Sequence, residues 1–284
     1  MFLPLLVAAT ISVAATTTDL RDLVAAVGGD RVSVESLTDP RQDPHTLEIL
    51  PRQLARLREA KLLVRIGLDH EPWLRKALAR VDRRPQDLDL SRGMLLLGTE
   101  TPRLRAEREA HVHAFGNTHY WLDPANARAI AERIAGALAS LAPAERGVIE
   151  ENRARFVARL DAALPRWEAV LRPFAGTRVV TAHDTWPYFA RRFGLTIAAT
   201  VEEKPGVPPS AAYVARLVEL MRGAGVRVII AEPMASAALL RRIAEQTGAR
   251  VVTLAPSVGA DPEASDYLTL FEVNVRRLAA ALGS

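Results

Sequence analysis

Apolar, strand-like runs alternate with segments of helical period twice along this 284-residue chain, and that alternation restricts it to parallel α/β units. In the first half, strands are expected at Ile11–Ala15, Val32–Ser36, Leu62–Ile66 and in the apolar run Met94–Leu97. Helices are expected between them, one capped near Thr18 or Asp19 and ended by Gly28-Gly29, one over Pro51–Ala60 and one over Glu71–Val81. Thr99–Thr118 has no apolar period and reads as loop, and helical spacing resumes over Asn126–Leu141. From Pro143 to Arg172 the residues Val148, Ile149, Phe156, Leu160, Leu164, Trp167, Val170 and Leu171 recur at helix-like intervals. That stretch predicts one helix of about 30 residues, roughly 45 Å long, kinked at Pro165.

The second half repeats the scheme. Strands are expected at Arg178–Ala182, Leu195–Val201, Val226–Ala231 and Arg250–Leu254, and helices at Trp186–Phe193, Ser210–Gly223, Ala235–Gly248 and Tyr267–Leu282. The reading is two α/β lobes of Rossmann-like type with parallel sheets, over 11–142 and 173–284, joined by a helix over 143–172. A cleft between such lobes is a favoured place for a ligand.

Composition narrows what that ligand can be. With 49% hydrophobic and 25% charged residues the chain is neither disordered nor fibrous. The formal charge of +4 comes mostly from arginine, since Lys61, Lys76 and Lys204 are the only lysines. Acidic residues are mixed along the same helices, which describes solvated faces and no nucleic-acid stripe. There is no cysteine, so disulfides, thiolate metal sites and a lipid-modified N-terminal cysteine are excluded for this sequence. The opening Met1–Thr10 resembles the end of a secretory apolar region, shortened and without a basic start, so residues 1–10 are expected to be a truncated export signal.

His45, His119 and His183 lie far apart in the chain, each where a strand is expected to run out into a loop. Such spacing excludes a local zinc finger and points to a site assembled by the fold at the carboxyl ends of strands. Three converging imidazoles favour zinc over the oxygen-seeking magnesium, calcium or manganese. Any such ion would be held by nitrogen and oxygen alone.

Several strings in order carry a resemblance: Asp43-Pro44-His45, GLDHEPWL at 67–74, GNTHYWLDP at 116–124, TAHDTWPYFARRFGL at 181–195, EEKPGVPPS at 202–210 and AEP at 231–233. Together they resemble the zinc/manganese solute-binding proteins of ABC transporters, over nearly the whole chain. The resemblance implies a monomeric periplasmic protein that captures a metal ion, Zn2+ ahead of Mn2+, between two lobes and hands it to a membrane permease. It also implies that His45, His119 and His183 are the ligands. The family usually adds a carboxylate from a loop of the second lobe, but the matching segment here is Leu254-Ala255-Pro256-Ser257-Val258-Gly259, with Ala255 at the carboxylate position. Water, Glu232, Asp261 or His113 are the candidates for the fourth place.

Three histidines and one water also describe a catalytic zinc site, so a zinc-dependent hydrolase is the alternative class. A compact His-Glu-x-x-His motif is absent, and Asp184 serves equally well as a helix cap before Trp186. Ala255 raises a third reading, an adhesin-like or degenerate binder that has lost metal capture. His111 and His113 are too few for a metal-gathering tract. His70, just before Glu71-Pro72-Trp73, reads as a helix-start residue or one that supports the ligands, and Asp123, Asn117 and Glu71 as orienting groups.

Overall fold

The computed structural model describes residues 10–45, 47–98, 116–202 and 207–283. The expected export segment over residues 1–9, most of the expected loop at 99–118, and with them His111 and His113, lie outside the described residues. The chain forms two compact units. Unit 1 takes the residues up to Asp39, Asp43–Gly93 and Ala127–Arg159, and unit 2 takes Pro40–Gln42, the described residues of Met94–Asn126, and the chain from Leu160 on. Thus 94–126 packs with the second sheet although it precedes the long helix.

Unit 1 is built on β1 (Ile11–Ala15), α1 (Thr18–Gly28), β2 (Val32–Ser36), α2 (Pro51–Glu59), β3 (Leu62–Arg65), α3 (Leu74–Leu78) and β4 (Gln86–Asp89). All pairs are parallel, in the order β2-β1-β3-β4. The central strands β1 and β3 are almost wholly apolar and buried, as a parallel sheet covered on both faces requires. Thr17 caps α1 by accepting the Leu20 N–H, and Gly29 ends that helix in a positive-φ conformation. A second apolar layer joins Leu54, Leu57, Leu63, Trp73 and Leu74. Helix α4 (Ala127–Leu141) packs against α1, and its Arg133 guanidinium donates to the carbonyls of Asp89 and Leu90 at the end of β4.

Two expectations change here. The fourth strand is the polar Gln86–Asp89, and Met94–Leu97 is no strand. An edge strand pairs on one side only and needs no continuous apolar face, whereas the apolar run crosses into unit 2, where Leu97 N–H donates to the Tyr188 hydroxyl at 2.9 Å. The helix expected over Glu71–Val81 is only Leu74–Leu78, because Glu71 turns its carboxylate back onto the chain before it.

Helix α5 (Arg146–Leu171, 26 residues) runs from unit 1 into unit 2 and contains Pro165 without a break. Unit 2 continues with β5 (Arg178–Thr181), α6 (Pro187–Arg192), β6 (Thr196–Thr200), α7 (Ala211–Ala224), β7 (Val228–Ala231), α8 (Ala237–Thr247), β8 (Arg250–Thr253) and α9 (Tyr267–Leu282). Its sheet is again fully parallel, in the order β6-β5-β7-β8. Val180 and Ile229 pack with Leu217, Val218 and Met221 of α7 and Leu240 and Ile243 of α8. A second cluster is aromatic: the Phe189 ring lies 4.6 Å from Phe193 and 6.4 Å from Phe271, and Trp167 lies 5.5 Å from Phe271. Parallel topology sends every strand's carboxyl end to the same edge of its sheet, so the loops that follow β1, β2 and β3, and those after β5 to β8, are the places to look for chemistry.

Among the described residues, no helix is long and apolar enough to cross a membrane.

Candidate metal centre

In unit 1 the relevant loops follow β2 and β3. The Asp43 carboxylate accepts the His45 N–H at 2.9 Å, and the Trp73 indole N–H donates to the Pro44 carbonyl at 2.8 Å. Those two bonds fix the backbone that carries the His45 ring. After β3, Gly67, Leu68 and Asp69 all have positive φ, at 85°, 58° and 56°. Gly67 is required, since a Cβ there would collide with the Asp89 carboxylate. Leu68 and Asp69 have no such licence, and a non-glycine residue in this region costs roughly 1–2 kcal/mol. The turn is held by the buried Glu71 carboxylate, which accepts the Ile66 N–H at 2.8 Å, the Gly67 N–H at 3.1 Å and the Thr16 hydroxyl at 2.5 Å. Burial pushes the Glu71 carboxyl up to about 7, and the three hydrogen bonds oppose that rise without cancelling it.

The turn delivers His70. Its N–H donates to the Gly67 carbonyl at 3.0 Å, and its ring meets that of His45 with centroids 4.5 Å apart and planes at 69°. Each offers a ring nitrogen, the two within 4.8 Å of one another. A tetrahedral ion with bonds of 2.0–2.1 Å separates its ligand nitrogens by about 3.3 Å, so a small ring rotation suffices for both to face one ion. His70 is therefore not at a helix start, since α3 begins only at Leu74.

In unit 2, His183 stands two residues beyond β5, where a strand-end ligand was expected. His119 follows no described strand. It precedes a 3-10 turn at Tyr120–Leu122 in a loop clamped by the Tyr267 hydroxyl, which donates to the Trp121 carbonyl at 2.5 Å, and by the Trp121 indole N–H, which donates to the Pro256 carbonyl at 3.2 Å. The His119 and His183 rings lie 6.3 Å apart, nearly perpendicular at 86°.

Asn117 ties the two together. Its amide nitrogen donates to the Asp184 carbonyl at 2.8 Å, which leaves its oxygen to accept the His119 N–H at 2.9 Å. That same oxygen lies 3.2 Å from His119 Nδ1. An amide oxygen can only accept, so the network assigns the proton of His119 to Nδ1. The Asn117 carbonyl in turn accepts the Tyr188 hydroxyl at 2.8 Å.

The candidates for a fourth position differ in how far they are engaged. Glu232, buried beyond β7, accepts the Trp186 indole N–H at 2.7 Å. Burial raises its carboxyl above the usual range, and the nearby His183 pulls it back. Asp261 accepts from Arg277 at 2.6 Å, which holds it below the usual carboxylate range. Glu202 lies 3.6 Å from His183 Nδ1, an electrostatic neighbour beyond hydrogen-bond length. Ala255 is fully buried, with its N–H and carbonyl both taken by the Asn274 side chain at 2.9 and 2.8 Å.

Of the three histidines expected to converge, the structure puts His119 and His183 side by side in unit 2, and His45 in unit 1 beside His70. The signal that pointed to His70 was available: it lies in the loop after a buried parallel strand, the position that was used to select His183.

The family model described as zinc-uptake complex component A, periplasmic, matches residues 13–281. The zinc-binding lipoprotein AdcA of Streptococcus pneumoniae serotype 4 is 28% identical over 260 residues, 89% of this chain and 52% of that protein. The chain therefore spans about half the length of this relative. A crystal structure of ZnuA superposes with a TM-score of 0.82 at 28% identity, covering 96% of this chain and 99% of the other. A Mn-bound periplasmic metal-binding protein from Candidatus Liberibacter asiaticus shares the fold, with a TM-score of 0.81 at 19% identity over 96% of this chain and all of its own. The likeness covers nearly the whole length, both sheets and the loops that carry the histidines, and the chain belongs to the family of periplasmic A components of zinc-uptake complexes.

Proposed function

We propose that this chain captures a transition-metal ion, Zn2+ ahead of Mn2+, with histidine imidazoles and passes it to the membrane permease of an ABC transporter. The observation that carries the reading is the His119–His183 pair of unit 2, 6.3 Å apart, with the His119 tautomer set by Asn117. Imidazole ligands suit zinc better than manganese, which prefers oxygen. His45, from the loop after β2, is the third ligand of the proposal.

The mechanism is capture. Neutral imidazoles take the ion, and an ion bound by the folded chain alone stabilises the loaded form by mass action. Release then requires a partner that binds another arrangement better, which is the permease's role. The working compartment is the periplasm, and the protein works as a monomer. The relatives support binding over turnover and give the hydrolase alternative no support.

The test is a zinc and manganese titration of metal-free protein in competition with a chromophoric chelator. Zinc affinity in the nanomolar range or tighter is expected, as about 12 kcal/mol or more of binding energy implies, with a large loss in His119→Ala. Micromolar or weaker zinc binding, or no loss in that variant, favours the degenerate binder. Zinc-dependent hydrolysis of a generic ester that His119→Ala abolishes would reinstate the enzyme.

A further inference from the structure

We infer that His70 is a metal ligand beside His45, so that unit 1 offers the captured ion two imidazoles. This rests on the proposed capture function and deepens it by naming the donor set. The His45–His70 pair is the evidence from unit 1: two rings 4.5 Å apart at 69°, each with a nitrogen within 4.8 Å of the other's. A turn that holds Leu68 and Asp69 at positive φ, braced by three hydrogen bonds to Glu71, places His70 there. Backbone strain of this kind persists where the surroundings enforce it and concentrates at ligand sites.

Two imidazoles from unit 1 make the donor set richer in nitrogen, and such a set discriminates against manganese, because manganese owes its affinity to oxygen ligands.

The experiment uses the six histidines as reporters. Long-range proton–nitrogen correlation spectra of the full chain are recorded without metal and with one equivalent of Zn2+, for the wild type, His70→Asn and His119→Ala. The ring system missing from the His70→Asn spectrum should be among those that move to metal-bound nitrogen shifts. Chelator competition should show zinc affinity falling more than 100-fold in His70→Asn, beyond the 10- to 100-fold typical of a group that merely orients a ligand. Manganese affinity should fall less, which narrows the preference. If other rings move and that of His70 keeps its metal-free shifts, His70 is no ligand, while the capture function stands. If no ring moves in the wild type, the capture function itself fails. Metal-free melting curves identify a His70→Asn protein that has lost its fold. In that case the wild-type spectra decide, with the His70 ring assigned through its bonded neighbours.

Discussion

Asn117→Ala should weaken zinc binding without touching any proposed ligand. The side chain makes three contacts: its oxygen accepts the His119 N–H at 2.9 Å and lies 3.2 Å from His119 Nδ1, and its nitrogen donates to the Asp184 carbonyl at 2.8 Å. Truncation frees the His119 ring to rotate and to place its proton on Nε2, and it unties the His119 loop from the loop of His183. Loss of a group that orients a metal-binding histidine costs 10- to 100-fold in affinity. Because one side chain serves both loops here, the upper part of that range is expected, about 30- to 100-fold or about 2–2.8 kcal/mol. The metal-free protein should also lose about 2–4 kcal/mol of stability, from a buried N–H and carbonyl left without their partner. Asn117→Asp keeps an acceptor for Nδ1–H and should recover part of the affinity, though its charge repels the Asp184 carbonyl. The assay is chelator competition at pH 7.5, with circular dichroism to confirm the fold. A folded Asn117→Ala protein that binds zinc within threefold of the wild type would refute the tautomer argument.

Three further outcomes follow from the same contacts. Zinc affinity should fall as pH drops, because histidine binds metal only in its neutral form; chelator competition at pH 7.5 and 5.5 checks this, and equal affinities would exclude histidine ligands. Asn274→Ala, which strips both partners from the Ala255 peptide, should lower metal-free stability by about 2–4 kcal/mol, and an unchanged denaturant midpoint would show that the clamp contributes nothing. Asp261 is held below its ordinary value by Arg277, so its contribution is present above the unfolded-state value near 3.8 and is lost as pH falls through the lower folded-state value. Arg277→Gln should therefore cost about 0.5–1 kcal/mol at neutral pH and flatten the acid limb of the stability curve. An acid limb identical to the wild type would contradict this.

Both sheets were legible because their inner strands, such as Leu62–Arg65 and Val228–Ala231, are unbroken apolar runs bounded by polar turns. The edge strand Gln86–Asp89 was not, since a half-exposed strand need not look apolar. Met94–Leu97 misled for the converse reason: the run is apolar yet pairs with no strand, and its Leu97 N–H donates instead to the Tyr188 hydroxyl of unit 2, 91 residues away. His183 could be placed from the end of its strand. His119 owes its position to a turn held by Trp121, Tyr267 and Asn117, and no local pattern announces it. His70 was hidden by Glu71-Pro72, which imitates a helix start, while the carboxylate of Glu71 in fact bonds backward to Ile66 and Gly67. The pairing of His45 with His70 depends on β2 and β3 flanking β1, a tertiary fact that spacing along the chain does not encode.

The central claim of the proposal is that histidine imidazoles hold the captured ion. Anomalous diffraction at the zinc edge, on crystals grown with one equivalent of Zn2+, tests it most directly. The proposal predicts a strong peak about 2.0–2.1 Å from the ring nitrogens of the proposed histidine ligands, His119 and His183 among them. A peak located away from these rings, or none at all, would contradict it.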